Sequence, residues 1–159
     1  MEIKVKSTVV NIKFDYALMF SVDKELATRN KETGQSNNDG VGALFLKILN
    51  KEDSGIVDLI KISMPKSAKN VAENDIIAAV GNHIEHLVVE EGMEIEAAYD
   101  SIFNEIKQEM VDSGFFKSKI SKYLKNLEKA RRYFETQEDS EMQLEEFDEI
   151  IGTMKSALS

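Results

Sequence analysis

Two histidines fall close together in the stretch GNHIEHLVVEEG, at His83 and His86, and Glu90 follows four residues later. On a helix these three share one face, so a His-His-Glu metal site is geometrically open. The spacing is neither H-E-x-x-H nor H-x-x-E-H, and it lacks the E-x-x-H pairs that build di-iron sites in bundles. Histidines on a solvated polar helix face account for the pattern without a ligand, and that reading is preferred. A metal-dependent enzyme at His83 and His86 is the remotest alternative. The stretch DGVG, Asp39 to Gly42, resembles the start of a phosphate loop. It has no third glycine, no Lys-Ser pair and no strand before it, so Gly40 and Gly42 are read as a loop end and a tolerant helix start. There is no G-x-S-x-G, and two histidines on one helix turn do not suit a Ser-His-Asp set. Cysteine is absent, which removes disulfides, thiol catalysis and cysteine zinc sites. Carboxylates are abundant but fall on polar helix faces, where solvation explains them. The chain is therefore read as non-enzymatic, with no catalytic residue, no metal and no cofactor.

The remaining chemistry is charge. Between Phe115 and Glu135 lie Lys117, Lys119, Lys122, Lys125, Lys129, Arg131 and Arg132, against Glu128 and Glu135 as the acids. The next stretch, TQEDSEMQLEEFDEIIGTMKSALS, is strongly acidic, with Lys155 as its base. The basic run has two readings. It grips phosphates, with Tyr123 and Tyr133 interleaved, or it faces acid within the chain or on another subunit. The second is preferred, because the chain as a whole carries a net charge of −9, which sets a repulsive background for nucleic acid. Lys117, Lys119, Lys122, Lys125 and Lys129 are accordingly the expected self-association residues of a homo-oligomer.

The elements that must carry these groups are mostly helical. One proline in 159 residues, few glycines and many Leu, Ile, Lys and Glu favour helix. The length fits one domain with a sizeable core. No apolar run approaches the roughly 18 residues of a membrane span, and the charged, alternating N-terminus is no signal peptide, so no membrane partner is expected. Ile3, Val5, Val10, Ile12 and Phe14 alternate with polar residues and predict one or two short strands. A first helix is expected from Asp15 to Thr28 on Ala17, Leu18, Val22 and Leu26. Residues 29–40, without an apolar side chain, predict a mobile surface loop, and Asp39 an N-cap. Two short helices hinged at NKEDSG follow: Val41, Leu44, Phe45, Ile48 and Leu49 on the first, Ile56, Leu59, Ile60 and Met64 on the second, closed by Pro65. A fourth helix runs from Asn74 to Glu90 on Ile77, Val80, Ile84, Leu87 and Val88. A fifth runs from Met93 to Asp112 on Ile95, Ala98, Tyr99, Ile102, Phe103, Ile106 and Met110, with Ser113-Gly114 as its stop. The basic run carries a stripe of Phe116, Ile120, Tyr123, Leu124, Leu127 and Phe134, and the acidic one Leu144, Phe147, Ile150, Ile151 and Met154. The fold class is mainly α: a multi-helix domain of short amphipathic helices with a small N-terminal β element.

The order of features from Ile3 to about Asp112 resembles the tail assembly chaperones of long-tailed bacteriophages. The resemblance rests on NIKFDYALMFSVDKEL, on DGVGALFLKILN, on KEDSGIVDLIKIS and on an acid-rich helix opened by ENDI. It covers about two thirds of the chain. On it, residues 1–114 are a helical chaperone-like domain with its β element, and residues 115–159 a basic then acidic helical extension packed on the same domain. The resemblance implies a protein of the host cell cytoplasm, absent from the mature virion, that coats the apolar helical tape measure protein before the tail tube forms. It also implies a longer, frameshifted form that recruits the major tail (tube) protein. Helix-in-groove binding needs apolar anchors and no catalytic groups. The expected partner-binding residues are Val41, Leu44, Phe45, Ile48, Leu49, Ile56, Leu59 and Ile60, although each suits an ordinary core equally well. The alternative is a small regulatory or nucleic-acid-associated helical protein using the basic helix 115–134.

Overall fold

Alternating apolar residues at the N-terminus form an antiparallel hairpin of β1 (Glu2–Val5) and β2 (Thr8–Asn11), in which Ile3 faces Val10 and Val5 faces Thr8. Lys6 turns the chain at φ +53°. An isolated two-stranded hairpin is marginal in water. Here Ile3, Val5, Val10 and Ile12 are all buried, because β1 lies on α4 and β2 on α3. The structure is a computed structural model that describes residues 1–68 and 70–159. After the hairpin come α1 (Tyr16–Leu26), α2 (Gly40–Leu49), α3 (Asp53–Ser63), α4 (Glu73–Val89), α5 (Ile95–Asp112), α6 (Gly114–Glu135) and α7 (Glu141–Leu158). The fold is mainly α with a small N-terminal β element.

Asp15 caps α1, accepting from the Leu18 backbone N–H at 2.9 Å. The buried stripe of α1 is Leu18, Met19 and Val22, while Ala17 is exposed. The stripe is thus rotated from the expected one, and the larger side chain takes the core position. Residues 29–38 of the expected 29–40 loop are exposed and carry a set of polar hydrogen bonds. Asp39 accepts from Thr28 N at 2.7 Å and from Thr28 Oγ1 at 2.5 Å. Asn30 Oδ1 accepts from the N–H groups of Glu32 and Thr33, and Arg29 bridges to Ser36. The loop is stitched to itself by polar side chains that composition alone reads as freedom.

Helix α2 is the centre of the molecule and touches α1, α3, α5, α6 and α7. Its N-terminus is where glycine is required. A Cβ on Gly40 would meet the Val22 carbonyl oxygen and lie 2.8 Å from Asp23 Cα, and a Cβ on Gly42 would meet the Tyr123 ring. These glycines are contact points for two other helices, a stricter role than the loop end and tolerant start that the sequence suggests.

Helix α4 buries Ile76 and Ala79. Ile77, expected to open its apolar stripe, is 50 % exposed. The helix sits at the edge of the core, so a narrow face suffices and the neighbouring residue points outward. At the end of α5 the expected stop at Ser113-Gly114 is a one-residue joint. Ser113 donates its hydroxyl to the Phe14 carbonyl at 2.7 Å and caps α6, which begins at Gly114. Phe116 and Ile120 of α6 and Met154 of α7 belong to the same apolar core as α2, so the C-terminal helices are structural parts of the core they cover.

The glycine contacts set a testable contrast. Gly40→Ala drives a methyl into the α1 backbone, and Gly42→Ala drives one into the Tyr123 ring and the Tyr123 Cβ, which turning the ring does not move, so each should cost at least roughly 2–3 kcal/mol. Gly81→Ala in α4, where a Cβ meets nothing within 4 Å, should stabilise by about 0.5–1 kcal/mol. Denaturant unfolding of the three variants measures the order. A Gly40→Ala protein as stable as wild type contradicts this packing.

Candidate functional site

Seven of the eight residues expected to bind a partner are core. Val41, Leu44, Phe45, Leu59 and Ile60 are 0 % exposed, Ile56 is 1 % and Ile48 2 %; Leu49 is half-buried. Both stripes are covered from inside the chain: α2 packs against α1, α3, α5, α6 and α7, and α3 against α1, α2, α4 and β2. The expected groove is corrected accordingly. The periodicity was that of a helix with a buried side, and a central helix buries its stripe against its own neighbours before any partner arrives.

What fixes α2 in this position is a buried carboxylate. Asp23 of α1 is 8 % exposed. Its Oδ1 accepts from the Val41 N–H at 3.0 Å, and its Oδ2 lies 2.7 Å from Lys119 Nζ of α6. The expected cap, Asp39, makes no side-chain bond to α2; the cap comes from another helix. A carboxylate at a helix N-terminus meets unsatisfied N–H groups and the positive end of the dipole. One charge therefore joins three helices. The sequence hint was an acid late in a helix, followed after a loop by glycines. Burial also raises the Tyr123 phenol pKa, with the Asp39 charge adding to it.

The other charges divide in two. Arg131 of α6 bonds to Asp148 of α7 and to Glu135, and Lys155 of α7 lies 2.7 Å from Glu128. The Asp148 carboxyl is held below its ordinary value by the Arg131 hydrogen bond, and Glu128 likewise by that of Lys155. Lys117, Lys122, Lys125 and Lys129 are exposed, and none pairs with another described residue. Lys119, expected to meet another subunit, is committed to Asp23. His83 is half-buried and His86 exposed, with Glu90 past the last turn of α4. Among the described residues, no group of three or more His, Cys, Asp or Glu is arranged to hold a metal. No described helix is long and apolar enough to cross a membrane.

The surface does present one aromatic patch that the sequence reading missed. Tyr16 and Phe20 are each 58 % exposed, one turn apart on α1, and Phe115 of α6 is 50 % exposed. The Tyr16 and Phe115 rings meet edge to face at 5.6 Å. Two hollows of about 460 and 410 Å³ adjoin the rings and share Met19 and Lys119. Lys24 and Arg29 edge the larger one. The signal was available: Tyr16 and Phe20 are large aromatics at i and i+4, off the stripe that buries α1. Comparison with protein-family models, with curated proteins and with solved structures gives no match.

The Asp148 shift has a defined sign. A carboxyl whose pKa is lowered on folding contributes stability present above its unfolded value of 3.8 and lost as pH falls through the folded pKa. Asp148→Asn should therefore be slightly less stable than wild type near neutral pH, and the gap should close as pH drops below 3.8. The pair is exposed, so the effect is small. Unfolding midpoints of both proteins across the acid range check this, and a gap that persists undiminished at the acid end contradicts it.

Proposed function

We propose that this protein is a tail assembly chaperone of a long-tailed bacteriophage. It holds an apolar helical segment of the tape measure protein in the host cytoplasm and is left out of the finished virion. A longer form that reaches the tube protein belongs to the same reading. The observation that supports it is the patch of Tyr16, Phe20 and Phe115, three rings at least half exposed on rigid helices.

Contiguous exposed aromatics on a soluble chain are the usual mark of a partner surface. Rings give large contact area for little lost side-chain entropy. A helix laid across them offers anchors at i, i+3 or i+4 and i+7. Each ring covered removes on the order of 100 Å² from water, about 2–3 kcal/mol before association costs. Met19 beneath the rings is a side chain that adapts to varied anchors. The net charge of −9 keeps a complex with apolar cargo soluble. In this reading the stripes of α2 and α3 build the platform and the cargo rests on its outside.

Co-expression with an apolar tape measure fragment tests the proposal. The fragment should remain soluble and be captured by wild type. Phe20→Ser with Phe115→Ser, both at exposed positions, should keep the fold and weaken capture by about 100-fold. Phe45→Asp should lose capture by unfolding, which circular dichroism distinguishes. A folded double variant that captures the fragment like wild type overturns the proposed surface.

A further inference from the structure

The charges on α6 and α7 that make no ion pair among the described residues form two stripes of opposite sign. On α6, Lys122, Lys125, Lys129 and Arg132 recur at i, i+3, i+7 and i+10, and all are exposed. Helical geometry puts them within about a quarter of the circumference along about 15 Å. Glu128 borders that face and feels Lys125 and Arg132, but its carboxylate bonds to Lys155 of α7, and Glu135 bonds to Arg131. On α7, Glu141, Glu145 and Glu149 recur at i, i+4 and i+8, and all are exposed, along about 12 Å. Neither set makes an ion pair with a described residue. Each stripe has an exposed apolar side chain beside it: Tyr133, 62 % exposed, on α6 and Met142, 76 % exposed, on α7.

We infer that the basic stripe of α6 docks on the acidic stripe of α7 from a second copy of this chain. The two stripes share one pitch, since successive charges on each lie about 4.5–6 Å apart along the axis. Antiparallel or parallel, several pairs align at once, and Tyr133 and Met142 add apolar contact, a thioether against a ring. Three acids on or beside α6 have ion-pair partners already: Asp148 holds Arg131, Asp23 holds Lys119, and Glu128 holds Lys155. A nucleic-acid strand would also meet the lysines, but it would bring its phosphates to a chain of net charge −9. A second copy presents a local acidic stripe of matching spacing. The inference does not rest on the chaperone reading, because it uses no residue of the aromatic patch.

Exposed ion pairs are individually weak and screened, so the association must be salt-sensitive. Sedimentation of the full chain should show association at low salt, with the dissociation constant rising at least about tenfold on going to several hundred millimolar salt. Charge reversal supplies the specific test. Lys122→Glu, Lys125→Glu and Lys129→Glu together should give a folded protein that no longer self-associates. Glu145→Lys with Glu149→Lys should do the same; Glu141 is left in place because an acid favours the first helical turn. Mixing the two folded variants should restore association as a one-to-one pair. A wild type that stays monomeric at low salt, or reversed stripes that leave self-association unchanged, would overturn the inference. Submicromolar binding of a single- or double-stranded DNA probe by wild type, abolished by the lysine reversals, would overturn it too and assign the stripe to nucleic acid.

Discussion

The packing of this protein depends on a close approach at the start of α2. Gly40 sits against the backbone of α1 at Val22 and Asp23, and Gly42 against the ring of Tyr123 on α6. Neither contact tolerates a side chain. Within that space the Asp23 carboxylate accepts the Val41 N–H and pairs with Lys119. A buried carboxylate is costly unless its partners are supplied, and here a helix end and an ammonium supply them. The arrangement holds α2 at the centre, where Phe45 and Leu44 reach zero exposure and where α5, α6 and α7 close around it.

That central position governs what the surface can do. The most apolar helix in the chain is spent on internal contacts, so its leucines build the scaffold. What remains outside is of two kinds. The α1–α6 junction leaves rings at Tyr16, Phe20 and Phe115 over two hollows, and the α6–α7 pair leaves exposed lysines and glutamates that make no ion pair among the described residues. The first suits an apolar helix, and the second a charged surface that repeats the same pitch. Neither needs a reacting group. The two surfaces share no residue, so each can be altered separately.

The helices were legible because their stripes are long and periodic. Ala98, Ile102, Phe103, Ile106 and Met110 follow one face of α5 and are buried as expected, whereas Ile95, expected to open that stripe, is 70 % exposed in the first turn and Tyr99 is half-buried. Period-2 alternation marked Ile3, Val5, Val10 and Ile12 equally well. Reading failed where one apolar run permits two faces. In α1 the residues Ala17, Leu18 and Met19 are consecutive, and only packing against other helices, with α6 beside Met19, decides that Met19 turns inward. In α4 the pair Ile76 and Ile77 poses the same ambiguity. The site was less legible for a different reason. Periodicity reports that a side is buried but not what buries it, so the α2 and α3 stripes read equally as groove and as core. The Asp23 cap spans 18 residues in sequence, beyond any local pattern. The stitched loop before α2 was hidden because Asn, Ser and Thr signal turns whether or not their side chains close on one another.

The central claim is that α2 and α3 are a closed scaffold and that partner binding occurs on the aromatic patch outside it. Hydrogen exchange of the free protein and of its complex with an apolar tape measure fragment tests this most directly. The account predicts added protection in α1 around Tyr16–Phe20 and at the start of α6 around Phe115, with α2 slow to exchange in both states. A complex in which α2 and α3 lose protection, because the core opens to admit the fragment, would contradict it.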